Sequence, residues 1–322
     1  MTGPNPIDAQ LDPEMLPIVV AMRQRMAERT PMTAIAPAAM RERASADFAA
    51  WNRDLPSGCE VRDLVLDVAP QALRARLYTP DGAEREGGLL VHFHGGGWVI
   101  GDLDFEERAC RIVAGKSGVK VLSVDYRLAP ETKFPEPVQD CANAIRWARR
   151  HARELDVSEQ RIAAGGASAG ANLAMGATLA LRDAGEPVPA FLLLLYGVFA
   201  MRTGTPSYEM YGKGDYGLGG EALTFFMNLY LRETADRSHP YASPVLANLE
   251  GMPPAYLTVA GMDPLRDDSI ELAEALRRAG VSAEMREYPG VIHGFTQFSA
   301  GLTKGREALE HAAVALKAAL AA

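Results

Sequence analysis

Ser168 lies in Gly166-Ala167-Ser168-Ala169-Gly170, a G-x-S-x-G pattern. Glycines two residues to either side keep side chains out of a tight bend, so the serine can sit on a sharp strand-to-helix turn with its oxygen exposed. The context fits that geometry. The apolar run Ile162–Ala164 precedes the pattern, and the helix-like stretch ANLAMGATLAL follows it. At such a helix start, backbone N–H groups face any negative charge that develops beside the hydroxyl. These features point to a nucleophilic serine.

A second pattern, His94-Gly95-Gly96-Gly97-Trp98, comes directly after the apolar run Leu89–Phe93. Consecutive glycines at a strand end let backbone N–H groups point into a site without Cβ obstruction, the oxyanion-loop type that a nucleophile elbow requires upstream. A phosphate-binding reading fails on detail. Gly115-Lys116-Ser117 resembles the end of a P-loop, but Cys110 stands where the first glycine is needed.

A nucleophilic serine needs a base and an orienting carboxylate, in the chain order Ser, Asp, His for this type of elbow. Downstream of Ser168 the histidines are His239, His293 and His311. His311 lies among alanines in a C-terminal helical stretch and reads as a surface residue, and His239 precedes Pro240 in an irregular block. His293 follows the last predicted strand in a glycine-flanked loop and is the expected base. For the acid, Gly261–Asp268 offers Asp263, Asp267 and Asp268. Asp263 comes immediately after a predicted strand and before Pro264, which favours an extended or turn conformation. Asp267 and Asp268 sit where a helix begins and read as partners of the helix dipole.

The elements that must position these residues are legible as periodicity. Predicted strands are Val61–Val68, Leu73–Tyr78, Leu89–His94, Val119–Asp125, Ile162–Gly165, Phe191–Tyr196, Ala255–Val259 and Ala283–Tyr288. Helical patterns lie near 104–117, 136–154, 169–183, 267–279 and 304–320, with Gly118, Gly185 and Gly280 where C-caps are expected. Runs such as LLLLY suit strands covered on both faces, and the alternation argues a mainly parallel sheet flanked by helices. Residues 1–50 have helical spacing but no strand signal. The block 201–240 is Gly- and Tyr-rich, then helical through EALTFFMNLYL. The expected division is therefore N-terminal cap helices over 1–50, a first part of the α/β core over 51–200, a cap insertion over 201–240 and the rest of the core over 241–322.

Composition narrows the class. With 322 residues and 48% hydrophobic side chains the chain can bury a large core. Its 33 basic and 41 acidic residues give a net charge of −8, and no basic stripe suits nucleic acid or an anionic membrane. The cysteines Cys59, Cys110 and Cys141 form no CxxC pair and read as buried apolar residues of a reducing compartment. The start, MTGPNPIDAQLDPEM, is acidic where a secretion signal would be basic, and the longest apolar run, Phe191–Met201, is too short to span a bilayer. The expectation is a soluble cytoplasmic protein acting on a small molecule.

Taken together, HGGGWVIGDLD, DYRLAPE at Asp125–Glu131, FPEPVQDC, GASAGAN, DPLRDD and HGF occur in an order that resembles the hormone-sensitive-lipase-like branch of α/β-hydrolases, over roughly residues 90–295. The resemblance implies an eight-stranded α/β-hydrolase core with a helical cap, no metal and no cofactor. It carries over Ser168 as nucleophile, Asp263 as acid and His293 as base. Backbone N–H groups of Gly96, Gly97 and Ala169 would be the oxyanion donors, with Gly95 a lesser candidate. Trp98, Tyr208, Phe225 and Phe226 are the candidates for substrate contact. One departure stands out: the family usually has Asp or Thr where this sequence has Ala167. The implied activity is hydrolysis of short- to medium-chain carboxylic esters. Amide or specialised-metabolite ester cleavage on the same triad is the alternative, and a homodimer is left open. The family also includes a plant hormone receptor that has lost the catalytic histidine, whereas His293 is present here.

Overall fold

The computed structural model describes residues 6–321. Of the segments read above, residues 1–5 and Ala322 lie outside the described residues. Eight strands form one sheet: β1 (Cys59–Leu66), β2 (Leu73–Pro80), β3 (Gly87–Phe93), β4 (Lys120–Asp125), β5 (Val157–Ala167), β6 (Leu192–Leu195), β7 (Ala255–Met262) and β8 (Ala283–Ile292). Their order is β1-β2-β4-β3-β5-β6-β7-β8. The β1–β2 and β2–β4 pairs are antiparallel, and every pair from β4–β3 to β7–β8 is parallel. Each strand overlaps one of the predicted runs. The largest shift is in β5, which starts at Val157 rather than Ile162, because its polar opening SEQR carries no apolar signal. That opening pairs Val157 with Gly87 before the register shifts at Leu89.

Helices alternate with the strands: α1 (Met15–Glu28), α2 (Pro37–Ala49), α3 (Glu107–Ser117), α4 (Glu136–Arg150), α5 (Ala152–Leu155), α6 (Ala169–Asp183), α7 (Pro206–Tyr211), α8 (Gly220–Tyr230), α9 (Arg266–Arg278) and α10 (Thr303–Leu320). The expected helix 136–154 is two elements, interrupted at His151. Helix α7 escaped the periodicity because it is barely two turns long. It starts at Pro206, with Thr205 accepting the N–H of Tyr208 as its cap.

Alternation along β3 explains why both faces of the sheet are covered. Leu89, Val91 and Phe93 join one buried cluster with Ala142 and Ile145 of α4 and Leu173 and Ala177 of α6. Leu90 joins the other, with Val113 of α3 and Leu309 and Leu316 of α10. The first cluster also holds Leu272 and Leu276 of α9 and Phe226 and Met227 of α8, while Met15 and Val19 of α1 lie in the second. Cys110 and Cys141 are free and buried, and Cys59 is half-buried. Burial pushes all three thiols above their ordinary pKa, the buried pair most. Among the described residues, no helix is long and apolar enough to cross a membrane.

The turn from β5 into α6 is packed directly against the backbone of β3. A Cβ on Gly170 would lie 1.9 Å from the Phe93 carbonyl oxygen, and one on Gly166 would lie 2.3 Å from the same atom. Backbone cannot yield as a flexible side chain could. Gly170→Ala should therefore cost about 1–3 kcal/mol or more of unfolding free energy, measurable by denaturant titration. A variant as stable as the parent would show that β3 and α6 can move apart.

Candidate active site

Ser168 occupies the bend between β5 and α6, with φ +54° and ψ −117°. For a residue other than glycine this is a strained conformation. It is held by the Ser168 N–H, which donates to the Leu195 carbonyl of β6 at 2.8 Å. Ala169 opens α6, so its N–H has no partner within the helix.

Asp263 and His293 come from the neighbouring strand ends. The last matched pair of β7 and β8 is Met262 with Ile292, and the next residue of each strand is Asp263 and His293. His293 Nδ1 lies 2.7 Å from Asp263 Oδ2, and His293 Nε2 lies 2.8 Å from Ser168 Oγ. An ionised carboxylate only accepts, so Nδ1 carries the proton and Nε2 accepts from the serine hydroxyl. Asp263 is fully buried, and its other oxygen accepts the Leu265 N–H at 2.8 Å. The Tyr196 ring meets His293 edge-on, centroids 5.2 Å apart. Burial pushes the Tyr196 phenol well above its ordinary pKa, so it stays neutral beside the histidine. The array can take a proton from Ser168 while keeping the resulting imidazolium paired.

The glycine loop faces this line. Gly96 and Gly97 have φ of +114° and +59°, and a Cβ on Gly96 would strike the Ile100 carbonyl at 2.1 Å. Gly95 is different. Its N–H already donates to Glu106 Oε1 at 2.9 Å, so it is not free to meet an oxyanion, and its candidacy as a donor is withdrawn. His94 is a structural member of the motif. Its ring stacks on Tyr126 at 4.4 Å and its Nδ1 lies 2.7 Å from the Gly95 carbonyl oxygen.

Among the aromatic candidates, Phe226 lies over the loop, since a Cβ on Gly97 would be 2.8 Å from its ring. Phe225 is adjacent, with ring centroids 6.0 Å apart. Tyr208 is half-buried with its hydroxyl against Gly220. Trp98 requires a correction. It is fully buried and stacked on Tyr230 at 4.5 Å, so it packs the core beneath the loop instead of lining the site. The other histidines stay apart. His239 packs against Phe134, and His311 pairs with the Tyr288 hydroxyl at 2.8 Å rather than standing free on the surface.

The chain as a whole is similar to known proteins. Residues 90–297, more than half of the chain, match the alpha/beta hydrolase fold family. The carboxylic ester hydrolase LipN of Mycobacterium tuberculosis is 39% identical over 243 residues, which is 73% of this chain and 64% of LipN. The chain belongs to the hormone-sensitive-lipase-like esterase family of α/β-hydrolases. The esterase LipI of the same organism is 35% identical over 83% of this chain and 86% of its own length. A hyperthermophilic esterase from the archaeon Pyrobaculum calidifontis superposes with a TM-score of 0.91 at 34% identity, covering 97% of this chain and all of its own.

Several polar residues of this family member were not singled out from sequence. Asn172 is fully buried, and its amide donates to the carbonyls of Val198 at 2.9 Å and Ala242 at 2.8 Å. His92 and Glu106 meet behind the glycine loop. Asp268 also needs correction, because it is not a surface partner of the α9 dipole. It is buried, and Oδ2 accepts the N–H groups of Phe199 and Ala200 at 3.2 and 3.1 Å. The nearby Asp267 accepts the Ser207 N–H at 2.8 Å.

Burial pushes the Asp268 carboxyl up to about 7 from an unfolded value near 3.8. A raised folded-state pKa means stability that is present below pH 3.8 and is lost as pH climbs toward 7. The steepest loss is about 1.4 kcal/mol per pH unit. Asp268→Asn keeps an acceptor oxygen and removes this titration. Its stability relative to the parent should therefore rise between pH 4 and 7 in denaturant titrations, with turnover little changed. Parallel stability curves for the two proteins would show that Asp268 does not titrate there.

Proposed function

We propose that this carboxylic ester hydrolase cleaves short- to medium-chain esters through an acyl-enzyme, with Ser168 as nucleophile, His293 as base and Asp263 as its orienting acid. The observation that carries the reading is the continuous line Ser168–His293–Asp263, with contacts of 2.8 and 2.7 Å and with Gly95 of the glycine loop packed beside Ser168. Ser168 Oγ attacks the ester carbonyl carbon while its proton passes to His293 Nε2. The imidazolium is held by Asp263, and the carbonyl oxygen, now negative, sits against the N–H groups of Gly96, Gly97 and Ala169. The tetrahedral adduct collapses, and the alcohol leaves with the proton from His293. Water then attacks the acyl-serine with His293 again taking the proton, and the carboxylic acid departs.

Within the N-terminal segment read over 1–50, the described residues from 6 onward form a cap over this site with the insertion over 201–240 in our reading. Three contacts support it. Arg41 of α2 donates to the Val99 carbonyl at 2.9 Å, Arg23 of α1 donates to the Asp215 carbonyl at 2.8 Å, and Phe226 lies on Gly97. Phe225, Phe226 and Tyr208 would then wall a pocket of limited depth for small esters in the cytoplasm.

Ser168→Ala should lower kcat on nitrophenyl butyrate by on the order of 10⁶-fold, and an organophosphate should label the parent once, at Ser168. Substantial activity in the purified variant would remove the mechanism. A nitrophenyl series from acetate to palmitate, with detergent controls, tests the cap. Each methylene inside the pocket contributes up to ~0.8 kcal/mol, so butyrate should exceed acetate by roughly fifteenfold at most. Acyl chains of about two to eight carbons should have the highest kcat/KM. Preference for palmitate, or activation at a lipid interface, would replace the esterase reading with a lipase.

A further inference from the structure

Behind the glycine loop, a buried carboxylate and a buried histidine have no part in the steps above. Glu106 is 4% exposed and His92 is 5% exposed. His92 Nε2 lies 2.6 Å from Glu106 Oε2, and Glu106 Oε1 accepts the Gly95 N–H at 2.9 Å. We propose that Glu106, steadied by His92, is a positioning residue that sets the aim of the Gly96 and Gly97 N–H groups toward the oxygen of the reacting ester. The proposal rests on Ser168 as nucleophile and on the glycine loop as the oxyanion hole.

The energetics favour a specific task. Removing a carboxylate from water is expensive unless its lone pairs are taken by donors, and an apolar side chain would fill the same space more cheaply. Here each oxygen has a donor, so the side chain is held at both corners. One donor is rooted in the sheet, because His92 lies in β3, paired between β4 and β5. The other is the backbone of the glycine loop. Glu106 therefore transfers the rigidity of β3 to the residue immediately before Gly96.

The loop needs such an anchor. Gly96 and Gly97 have no side chains to pack, and both have positive φ, where glycine has wide freedom. On the far side, the Gly96 carbonyl accepts from Val99 at 3.1 Å and from Ile100 at 3.0 Å. On the near side, Glu106 holds the Gly95 N–H. The anchor also lies at the junction with the elbow. A Cβ on Gly95 would be 3.1 Å from Glu106 Oε1, 3.1 Å from the Ala167 carbonyl oxygen and 3.5 Å from Ser168 Cβ. From the elbow, the nearest atoms at this point are the Ala167 carbonyl oxygen and Ser168 Cβ. Glu106 brings to that junction, from outside the elbow, a carboxylate oxygen that holds the Gly95 N–H.

The test compares Glu106→Ala, Glu106→Gln and His92→Phe with the parent. It measures kcat and KM on nitrophenyl butyrate and inhibition by a trifluoromethyl ketone, which gains a negative oxygen when serine adds to it. Removing an oxyanion donor outright costs on the order of 10²–10³-fold in turnover, so misaiming the donors in Glu106→Ala should cost about 10–100-fold in kcat with KM within about twofold. Ketone affinity should weaken by a similar factor. Glu106→Gln keeps an oxygen that accepts from Gly95 and should recover most of the loss. His92→Phe leaves Glu106 in place but free to swing, and should lose about 3–10-fold in kcat at constant KM, a fraction of the donor effect. It decides the matter if the alanine variant does not fold. Parent-like kcat and ketone affinity in His92→Phe, a loss confined to KM, or a glutamine variant no better than alanine would overturn the proposal. If the parent itself is neither inhibited by the ketone nor labelled at Ser168, the nucleophile assignment falls instead.

Discussion

A single strained residue governs the arrangement of this molecule. Ser168 adopts φ +54° at the end of β5, a conformation that is costly for any side chain and persists only where its surroundings over-determine it. Those surroundings are backbone. The Phe93 carbonyl of β3 sits where side chains at Gly166 or Gly170 would have to be, and the Leu195 carbonyl of β6 accepts the Ser168 N–H. The bend thus requires β3, β5 and β6 to be parallel and in register. The pairing of Phe93 with Gly166 supplies this on one side, and that of Ala167 with Leu195 on the other.

The same parallel register assembles the rest of the site. Parallel strands end together, so segments far apart in sequence emerge at one edge of the sheet. The glycine loop leaves β3 beside the elbow. Asp263 and His293 leave β7 and β8 one residue beyond a matched pair. Tyr196 leaves β6 and presents its ring to His293. The short contacts between Ser168, His293 and Asp263 follow from backbone pairing before any side-chain choice is made.

Buried polar side chains then secure the connections that the sheet cannot hold. Asn172 ties α6 to Val198 and Ala242, on either side of the 201–240 block, and Asp268 receives the N–H groups of Phe199 and Ala200 as the chain enters it. Glu106 does the same for the glycine loop. In each case a side chain satisfies backbone groups of a segment with no ladder of its own, which buried irregular chain demands. Farther out, Arg23 pairs with Asp8 at 2.8 Å, and the Tyr216 hydroxyl donates to the same carboxylate at 3.0 Å, joining the N-terminal segment to the block.

By itself, the sequence determined the strands, the long helices and the order Ser, Asp, His, because these depend on local periodicity and on glycines that a bend or loop requires. Asp263 and His293 could be placed from their position just after apolar runs. Only tertiary structure decided which groups are already engaged. Gly95, Gly96 and Gly97 look alike in sequence, yet Gly95 has given its N–H to Glu106, a partner eleven residues away. Trp98 looks like a ligand contact beside a functional motif, yet stacking on Tyr230 buries it. Asp268 looks like a helix-terminus charge, yet the chain entering the 201–240 block covers it. Burial and hydrogen-bond occupancy are set by segments distant along the chain, and no local pattern records them.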